Sequence, residues 1–567
     1  MAAKTKRAPA PPRSAAPVAA AGPPPGSSFL EWIGRHAGAL ALALVLIASG
    51  RVISTYTVFN HTFDEPVHIA CGMEWLDRGV YQWEYQHPPL SRIAVALGPY
   101  LSGIRSQGVK RVNGYSRSYE GDAILYSGHH YDRTLALARL GELPFFWVAC
   151  WVVWAWGRRS FGPTIAVLAL LLFTFEPTIL AHAGLATTDM ALTAFLGAAF
   201  YCGMVWVKRP TRANAAWFGL TAGLMVLSKF SCLLFFPVAA GAALAWWILA
   251  ERPGAARLTA LAKERAPSFA GAVLLACFVI WAGYRFSFGD AGFWHLKLPA
   301  PELYAGIREV ARHNAEGHTS YLLGERSMSG FWCFYLVALA VKTPIGYLAL
   351  LLFGFWLALE KQPGVPRLWI PLVFAAAIAI AASCGRINIG LRHILPVYIG
   401  FSLLAAAAIV RLVEMGAARR WILAAPVLLT GWLCVSSVAA HPDYIPYFNE
   451  FAGSQPEKIL VDSDLDWGQD VKRLSAFLKK VHAPSVVFFN QMIADFEGQH
   501  GFPPIPKVSD ALNPAPGWNA VSLTFLKERR LGLFEEHLDV QPWPERIPPM
   551  GRIGKGILIW YFPENTR

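Results

Sequence analysis

A succession of long apolar stretches constrains this chain more than any other feature. Stretches of about 17–25 mostly apolar residues can cross a bilayer as helices, which satisfy their own backbone hydrogen bonds in lipid. About eleven are present, near residues 37–57, 136–156, 162–180, 188–207, 214–230, 232–250, 268–286, 332–356, 369–384, 391–411 and 420–440. The sequence therefore predicts an α-helical polytopic membrane protein.

The distribution of charge agrees with this prediction. Of the residues, 55% are hydrophobic and only 15% are charged, whereas soluble domains are about 45–50% apolar and about 25% charged. A net charge of +13 could indicate nucleic-acid binding, but it also arises when cytoplasmic loops collect basic residues. Alternate loops do so here, at Arg158, Arg159, Lys208, Arg209, Arg212, Arg252, Arg257, Lys263, Arg265, Lys361, Arg367, Arg411, Arg419 and Arg420. We therefore expect a lipid bilayer, and no nucleic acid, as a partner.

The same alternation predicts the domain organisation. Residues 1–35, which begin with an Ala- and Pro-rich stretch, are expected to be a disordered cytosolic tail. Residues 36–440 form the transmembrane domain, with outer loops at 58–135 and 287–331. Residues 441–567 contain "SVVFFN", "AVSLTFL" and "GILIWYF", which are typical of strands, and "DVKRLSAFLKK", which is typical of a helix. They predict a small soluble α/β domain on the extracytoplasmic face. Short loops and frequent Ala indicate a bacterial inner membrane.

The first outer loop begins with an acidic pair. Asp64 and Glu65 precede Pro66, and Asp before such a Pro is typical of a helix N-cap. Alternatively, a carboxylate at the membrane surface can take a proton from an acceptor hydroxyl. His68 lies one turn after Asp64, so the two could share a face and bind a metal. Two ligands make a weak site, and a divalent metal is not supported.

Two more polar positions lie on the predicted outer side. His87 begins "HPPLSRIAVALGPYL", which predicts an extended dipeptide followed by a short helix; His87 could contact a phosphate or stabilise the kink. Asp189 lies in the first turn of the helix that starts at "TTDMALTAF". It could cap that helix, or it could be a second acid beside Asp64.

Basic residues accompany these acids on the outer side. Inside or next to apolar stretches stand Arg139, Lys229, Lys342, Arg386, Arg392 and His393. Each of them alone could extend its charged end to the membrane surface. Several cations and acids on one face predict instead a cleft for a phosphate-bearing lipid.

The segment "DSDLDWGQD" begins as a calcium-binding loop does, with acidic residues at alternate positions. Trp467 and Arg473 stand where such a loop needs Gly and Glu, which excludes the calcium interpretation. The remaining prediction is a solvated turn that caps a helix.

Taken together, the motifs resemble a known family. The acidic pair after the first span, "HPPL", "TTDMALTAF", "VKTPI", "IGLRHILPVY", "YFNEFAG" and "DWGQD" resemble membrane glycosyltransferases of the GT-C type that use polyprenyl-phosphate sugars. The similarity covers about residues 37–470 and is to the phospholipid-carrier-dependent branch related to protein O-mannosyltransferases and lipid A aminoarabinose transferases. It implies a GT-C fold of about 11 transmembrane helices.

The resemblance implies a role for several residues. Asp64 matches the catalytic acid and Glu65 supports it, while His87 and Arg139 look like contacts to the donor phosphate. Asp189 is similar to a second outer acid. Arg392 would join the phosphate contacts, and His68, Lys342, Arg386 and His393 are further candidates.

The implied activity is an inverting transfer of a hexose or mannose-like sugar from a polyprenyl-phosphate donor. The acceptor would be a hydroxyl on a protein, a lipid or a glycan at the extracytoplasmic face. No cofactor is required, because the phosphate ester is already activated. A transporter or flippase of a lipid-linked sugar is the alternative, although such proteins are expected to carry polar residues at mid-membrane and inverted repeats.

Overall fold

A computed structural model of the chain describes residues 27–292, 296–360, 368–416, 419–490, 501–506 and 510–563. Most of the predicted cytosolic tail lies outside these residues. Helices α1 to α10 are Ser27–Arg35, Ala37–Ile53, Glu65–Met73, Pro89–Leu101, Ser116–Tyr126, Tyr131–Leu140, Leu143–Phe161, Pro163–Thr174, Pro177–Ala183 and Asp189–Lys208. Helices α11 to α19 are Arg212–Ser228, Cys232–Glu251, Ala255–Gly283, Pro301–Glu316, Phe334–Lys342, Ile345–Leu359, Trp369–Ser383, Val397–Gly416 and Ala424–Ala439.

The C-terminal part contains the remaining α-helices and four of the eight strands of the described residues. Helices α20 to α22 are Val471–Lys480, Leu523–Arg529 and Trp543–Arg546. Strands β1 to β8 are Phe288–Asp290, Lys297–Pro299, Ser320–Leu322, Glu325–Ser327, Val486–Phe489, Gly517–Ser522, Gly551–Ile553 and Ile557–Phe562. The sheet order is β5-β6-β8-β7, with β5 parallel to β6 and the other pairs antiparallel. Strands β1 and β2, and strands β3 and β4, form two separate antiparallel pairs.

The membrane part contains helices of spanning length. Six helices of the described chain are long and apolar enough to cross a membrane, and eight if each of two bent helix pairs is one span. One bent pair is α8 and α9. The chain bends by 69° between them, directly before Pro177, the first residue of α9. Three predicted spans coincide with elements that are shorter or interrupted, namely α11, the α15–α16 pair and α17. The count of eleven therefore stays a prediction.

The predicted fold class is confirmed: the protein is a multi-pass α-helical membrane protein with a small C-terminal α/β region. The strands expected at "SVVFFN" and "GILIWYF" are β5 and β8, and "DVKRLSAFLKK" is α20. The run "AVSLTFL" is half strand and half helix, because Ser522 ends β6 and its hydroxyl accepts a hydrogen bond from the Phe525 N–H at the start of α21. The domain boundaries at residues 35 and 440 and the orientation in the membrane stay predictions.

Candidate active site

Asp64 stands directly before α3, at the N-cap position that the sequence indicated. Its side chain makes no capping hydrogen bond. Instead, its Oδ2 lies 3.1 Å from Nη1 of Arg392, and 28% of its side-chain surface is exposed. The carboxylate therefore faces a cation and solvent rather than the helix that it precedes.

Arg392 is the centre of a charged cluster. It lies in a short helical turn, Leu391–Ile394, and its Nη1 is also 3.5 Å from Oδ2 of Asp189. Its Nε donates to Ser463 Oγ at 3.0 Å, and the guanidinium lies 4.1 Å from the ring centre of Trp467. This turn packs so tightly that a side chain at Gly390 would collide with Ser463. Ion pairs, a hydrogen bond and stacking on the indole ring thus hold the guanidinium from several sides.

Asp189 extends the cluster to a second cation. It is the first residue of α10 and is fully buried, with Oδ1 2.6 Å from Nζ of Lys229. Lys229 follows the last residue of α11, and 12% of its side-chain surface is exposed. The sequence analysis expected Asp64, Asp189 and Arg392 on one face, and the structure brings them together. The result is a row of alternating charges, Asp64, Arg392, Asp189 and Lys229, which we call the charged row.

Glu65 and Arg139 form a separate pair. Arg139 Nε lies 2.8 Å from Glu65 Oε1, and Nη2 lies 2.8 Å from Oε2. The remaining N–H groups of Arg139 donate to backbone carbonyls of Tyr56, Phe59 and Asn60. Both side chains are buried. Burial alone would raise the pKa of Glu65, but the adjacent guanidinium and N–H donors lower that pKa below its usual range.

This geometry corrects two expectations. Every N–H of Arg139 is already used inside the protein, so the guanidinium has no group to offer a donor phosphate. Glu65 accepts from Arg139 and from the N–H groups of Thr62 and Ala186, which occupies its carboxylate in the same way. Both residues hold α3, α6 and the turn before α10 together.

His87 and His68 belong to a buried polar cluster around Arg92. Arg92 forms an ion pair with Glu84 and donates to Nδ1 of His68 at 3.1 Å. His87 Nδ1 lies 3.2 Å from Arg92 Nη2 and 3.4 Å from Glu84 Oε1. His68 is thus directed to Arg92, which does not fit a metal site shared with Asp64. Among the described residues, no group of three or more His, Cys, Asp or Glu side chains could hold a metal ion.

His87 keeps a partly exposed ring, with 22% of its side-chain surface accessible. Burial lowers its pKa, an effect that Glu84 opposes, and the charges of Arg92 and Lys229 lower it further. The charge of Lys229, at the end of the charged row, thus acts on His87. A phosphate contact by the ring is compatible with this position.

The further candidates lie in different places. His393 follows Arg392, and burial together with Lys229 and Arg392 holds its pKa well below the usual range. Lys342 is buried and donates to the carbonyls of Ile445 and Asp464, each at 2.6 Å. Arg386 is exposed and donates to the carbonyl of Ala315 at 3.0 Å. Of these three residues, the structure brings only His393 to the charged row.

The segment 459–472 contributes residues that the sequence analysis missed. The sequence predicts a solvated turn at residues 462–470, but Asp462, Asp464 and Asp466 are buried. Asp464 accepts from the Leu391 N–H at 3.1 Å, directly before Arg392. Asp466 accepts from the Ser522 hydroxyl at 2.5 Å, which ties the segment to the C-terminal sheet. The segment therefore supplies Ser463 and Trp467 to one side of the charged row.

Burial of this segment also shifts the pKa of one of its carboxyl groups. Burial raises the pKa of Asp462 to about 7, although Arg392 lowers it. Asp462 is held by the Thr524 hydroxyl, which accepts from its N–H at 2.9 Å. The backbone of Asp462 has a φ of 57°, a left-handed conformation that Asp and Asn tolerate better than most residues.

Comparison with known proteins gives a family match for the middle of the chain. Residues 134–284 match the family model described as dolichyl-phosphate-mannose-protein mannosyltransferase. Over this segment, the match confirms the resemblance to the protein mannosyltransferases. The matched segment runs from α6 to the residue after α13 and includes Asp189 and Lys229, whereas Asp64 and Arg392 lie on either side of it. No curated protein sequence matches the chain.

Solved structures give weaker likenesses. ArnT from Cupriavidus metallidurans bound to undecaprenyl phosphate is 13% identical, with 91% of this chain and 97% of ArnT covered and a TM-score of 0.49. The apo oligosaccharyltransferase of Archaeoglobus fulgidus is 14% identical, with 77% of this chain and 57% of that enzyme covered and a TM-score of 0.44. We draw no conclusion about the activity from either likeness, because both TM-scores are low.

Proposed function

We propose that this protein is an inverting membrane glycosyltransferase that moves a sugar from a polyprenyl-phosphate carrier to an acceptor hydroxyl. The observation that supports this proposal most directly is the charged row, in which a partly exposed carboxylate, Asp64, lies 3.1 Å from a buried cation, Arg392. The family match over residues 134–284 supports the reaction class. The sugar is a hexose or mannose-like residue, and the hydroxyl belongs to a protein, a lipid or a glycan.

The two cations suit the departing phosphate. When the bond between the anomeric carbon and the phosphate oxygen breaks, its electron pair stays on the lipid phosphate, which gains negative charge. Arg392 presents N–H groups in a fixed fork, and Lys229 adds a compact charge at the other end of the charged row. Fixed donors that meet charge as it develops stabilise the transition state. In this proposal, His87 contributes a ring nitrogen to the same phosphate.

Asp64 suits the acceptor. Its carboxylate accepts a hydrogen bond from the acceptor hydroxyl and takes the proton as the oxygen attacks the anomeric carbon from the side opposite the phosphate. The products are a glycoside of inverted configuration and the free lipid phosphate. Asp189 keeps Arg392 and Lys229 at their separation, because each cation bonds to one of its two carboxylate oxygens.

The proposed orientation and membrane are those that the sequence predicts. The N-terminus is cytoplasmic, and the charged row and the C-terminal domain are extracytoplasmic, in a bacterial inner membrane. The reaction needs no nucleotide, since the donor is activated by its own phosphate ester, and no metal is assigned a role.

A donor with a radiolabelled sugar tests the proposal. The purified protein in lipid nanodiscs is given a polyprenyl-phosphate sugar and a mixture of envelope proteins, lipids and glycans. Release of free lipid phosphate, together with label in an acceptor fraction, is the expected result. Movement of intact donor between leaflets of a proteoliposome, without release of lipid phosphate, would indicate the transporter alternative and overturn the transferase.

A further inference from the structure

Glu142 is a buried carboxyl group to which the proposed reaction gives no role. It directly precedes α7, and its side chain is fully buried. Its Oε1 contacts Ser91 Oγ, a hydroxyl in the first turn of α4. Within the described part of the chain, its Oε2 is also buried and has no hydrogen-bond partner.

No cation of the described residues pairs with this carboxyl group. The ion pairs of the described residues do not include Glu142. Arg139 lies one turn earlier, but its N–H groups donate to Glu65 and to backbone carbonyls. The titratable groups that interact with it are Tyr56 and Asp189, and Asp189 is itself an acid. An ionised carboxylate without a cation is costly at such a site.

The hydrogen bonds of Ser91 constrain which group holds the proton. Ser91 Oγ lies 2.5 Å from the carbonyl oxygen of Thr187 and also contacts Glu142 Oε1. A carbonyl oxygen can only accept, and a serine hydroxyl has a single proton to donate. When that proton goes to Thr187, Ser91 can bond to Glu142 only as an acceptor, and the carboxyl group must then be protonated.

These hydrogen bonds end at the turn directly before Asp189, the first residue of α10. Glu65 accepts from the N–H of Ala186 at 2.9 Å, while Ser91 donates to the carbonyl of the next residue, Thr187. The turn is therefore held from both sides, two residues before Asp189 enters the charged row.

We propose that Glu142 is a neutral carboxylic acid whose proton, relayed through Ser91, fixes the turn that places Asp189 between Arg392 and Lys229. Glu142 is a positioning residue in this proposal. Its protonation is independent of the proposed function, whereas its effect on sugar transfer rests on that function.

Infrared spectroscopy of the purified protein tests the protonation without using activity. The difference spectrum between wild type and Glu142→Gln at neutral pH should contain the C=O stretching band of a protonated carboxyl group, lost in the variant. Glu316→Gln is the control, because Glu316 is exposed and pairs with Arg312, and its difference spectrum should show the bands of an ionised carboxylate. Carboxylate bands in the Glu142→Gln difference spectrum would overturn the proposal, whether or not the protein transfers sugar.

Transfer assays test the positioning role. Glu142→Gln should keep kcat within about threefold of wild type, because the amide N–H₂ can donate to Ser91 as the acid does. Ser91→Ala should lower kcat by about tenfold or more, since Thr187 and Glu142 lose the group that joins them. Ser402→Ala, which removes another buried hydroxyl, bonded to Tyr347, controls for the loss of a buried serine. A Glu142→Gln enzyme as impaired as Ser91→Ala would show that a carboxylate is required and would overturn the relay.

Discussion

Asp64 and Glu65 are adjacent in sequence, and each faces an arginine, yet the two pairs differ in almost every other respect. The closed pair, Glu65 and Arg139, is bidentate and buried, and every N–H of its arginine is bonded. The open pair, Asp64 and Arg392, has one contact of 3.1 Å and a partly exposed carboxylate. A buried pair with complete bonding stabilises structure, whereas a pair with solvent access and unused acceptor capacity can meet a substrate. Charge and position along the chain do not separate these cases.

The largest expected effect is on the open pair. Asp64→Asn should lower sugar transfer by about 1,000-fold, because the amide cannot take the proton from the acceptor hydroxyl. Thermal unfolding should change little, since the Asp64 side chain does not cap α3. The measurement is release of lipid phosphate by the purified variant. Asp77→Asn, which alters an exposed acid of the same outer loop, should remain active, and wild-type turnover of Asp64→Asn would exclude Asp64 as the base.

Breaking the closed pair should instead affect folding. Glu65→Gln leaves the buried guanidinium of Arg139 without its counter-charge, which costs roughly 3–5 kcal/mol of stability in comparable buried pairs. We expect a lower unfolding temperature and poor recovery of folded protein from membranes. Arg312→Met, which removes an exposed pair with Glu316, should leave the unfolding temperature almost unchanged. A stable Glu65→Gln protein with only a weaker donor affinity would return this pair to the site.

A change of arginine to lysine sharpens the comparison within the open pair. Arg392→Lys keeps the charge but cannot contact Asp64, Asp189 and Ser463 at once or stack on Trp467 in the same way. We expect kcat/KM for the donor to fall by roughly 100-fold, as when one fixed donor to a developing anion is lost. Steady-state kinetics with a lipid-phosphate sugar measure this. Activity close to wild type would mean that the charge alone is sufficient.

The smallest expected effect concerns the pH dependence of stability near the open pair. The pKa of Asp462 is raised from 3.8 to about 7 by burial, so between these values the folded protein holds a proton that the unfolded chain has lost. The contribution of Asp462 therefore destabilises the fold increasingly as the pH rises from about 4 to 7, and its effect is constant at higher pH.

Asp462→Asn should flatten the unfolding temperature across this pH range, because Asn carries no proton to lose and tolerates the left-handed backbone. Thermal unfolding in detergent at several pH values measures the slope. Asp510→Asn, at an exposed acid, is the matched control and should keep the wild-type slope. An unchanged slope in Asp462→Asn would assign the pH dependence to other buried acids, such as Glu528.

The sequence predicted the general position of the open pair but not the closed one. Alternation of spans and basic loops was sufficient to put Asp64, Asp189 and Arg392 on one face. Whether Arg139 points toward Asp64 or toward Glu65 depends on how α3 and α6 are arranged around α4, which packs against both, and neighbouring residues at a helix start can face opposite ways. Local pattern contains no information on that packing.

The acidic run 462–470 was misjudged for a related reason. Alternating aspartates are typical of a solvated turn. Here their partners are Leu391, Ser522 and Gly556, and each contact spans more than 50 residues of the chain. A single sequence does not reveal which distant hydroxyl and N–H groups will satisfy a carboxylate, so burial could not be inferred.

The attachment of segment 459–472 to the C-terminal sheet has a practical consequence. Asp466 and Asp470 fasten the segment to Ser522 and to the N–H of Gly556, while Ser463 and Trp467 touch Arg392. A protein shortened at residue 440 would retain its long apolar helices but would lose one wall around this guanidinium. Exchanging C-terminal regions between relatives would therefore alter the surroundings of the charged row as well as the periphery of the protein.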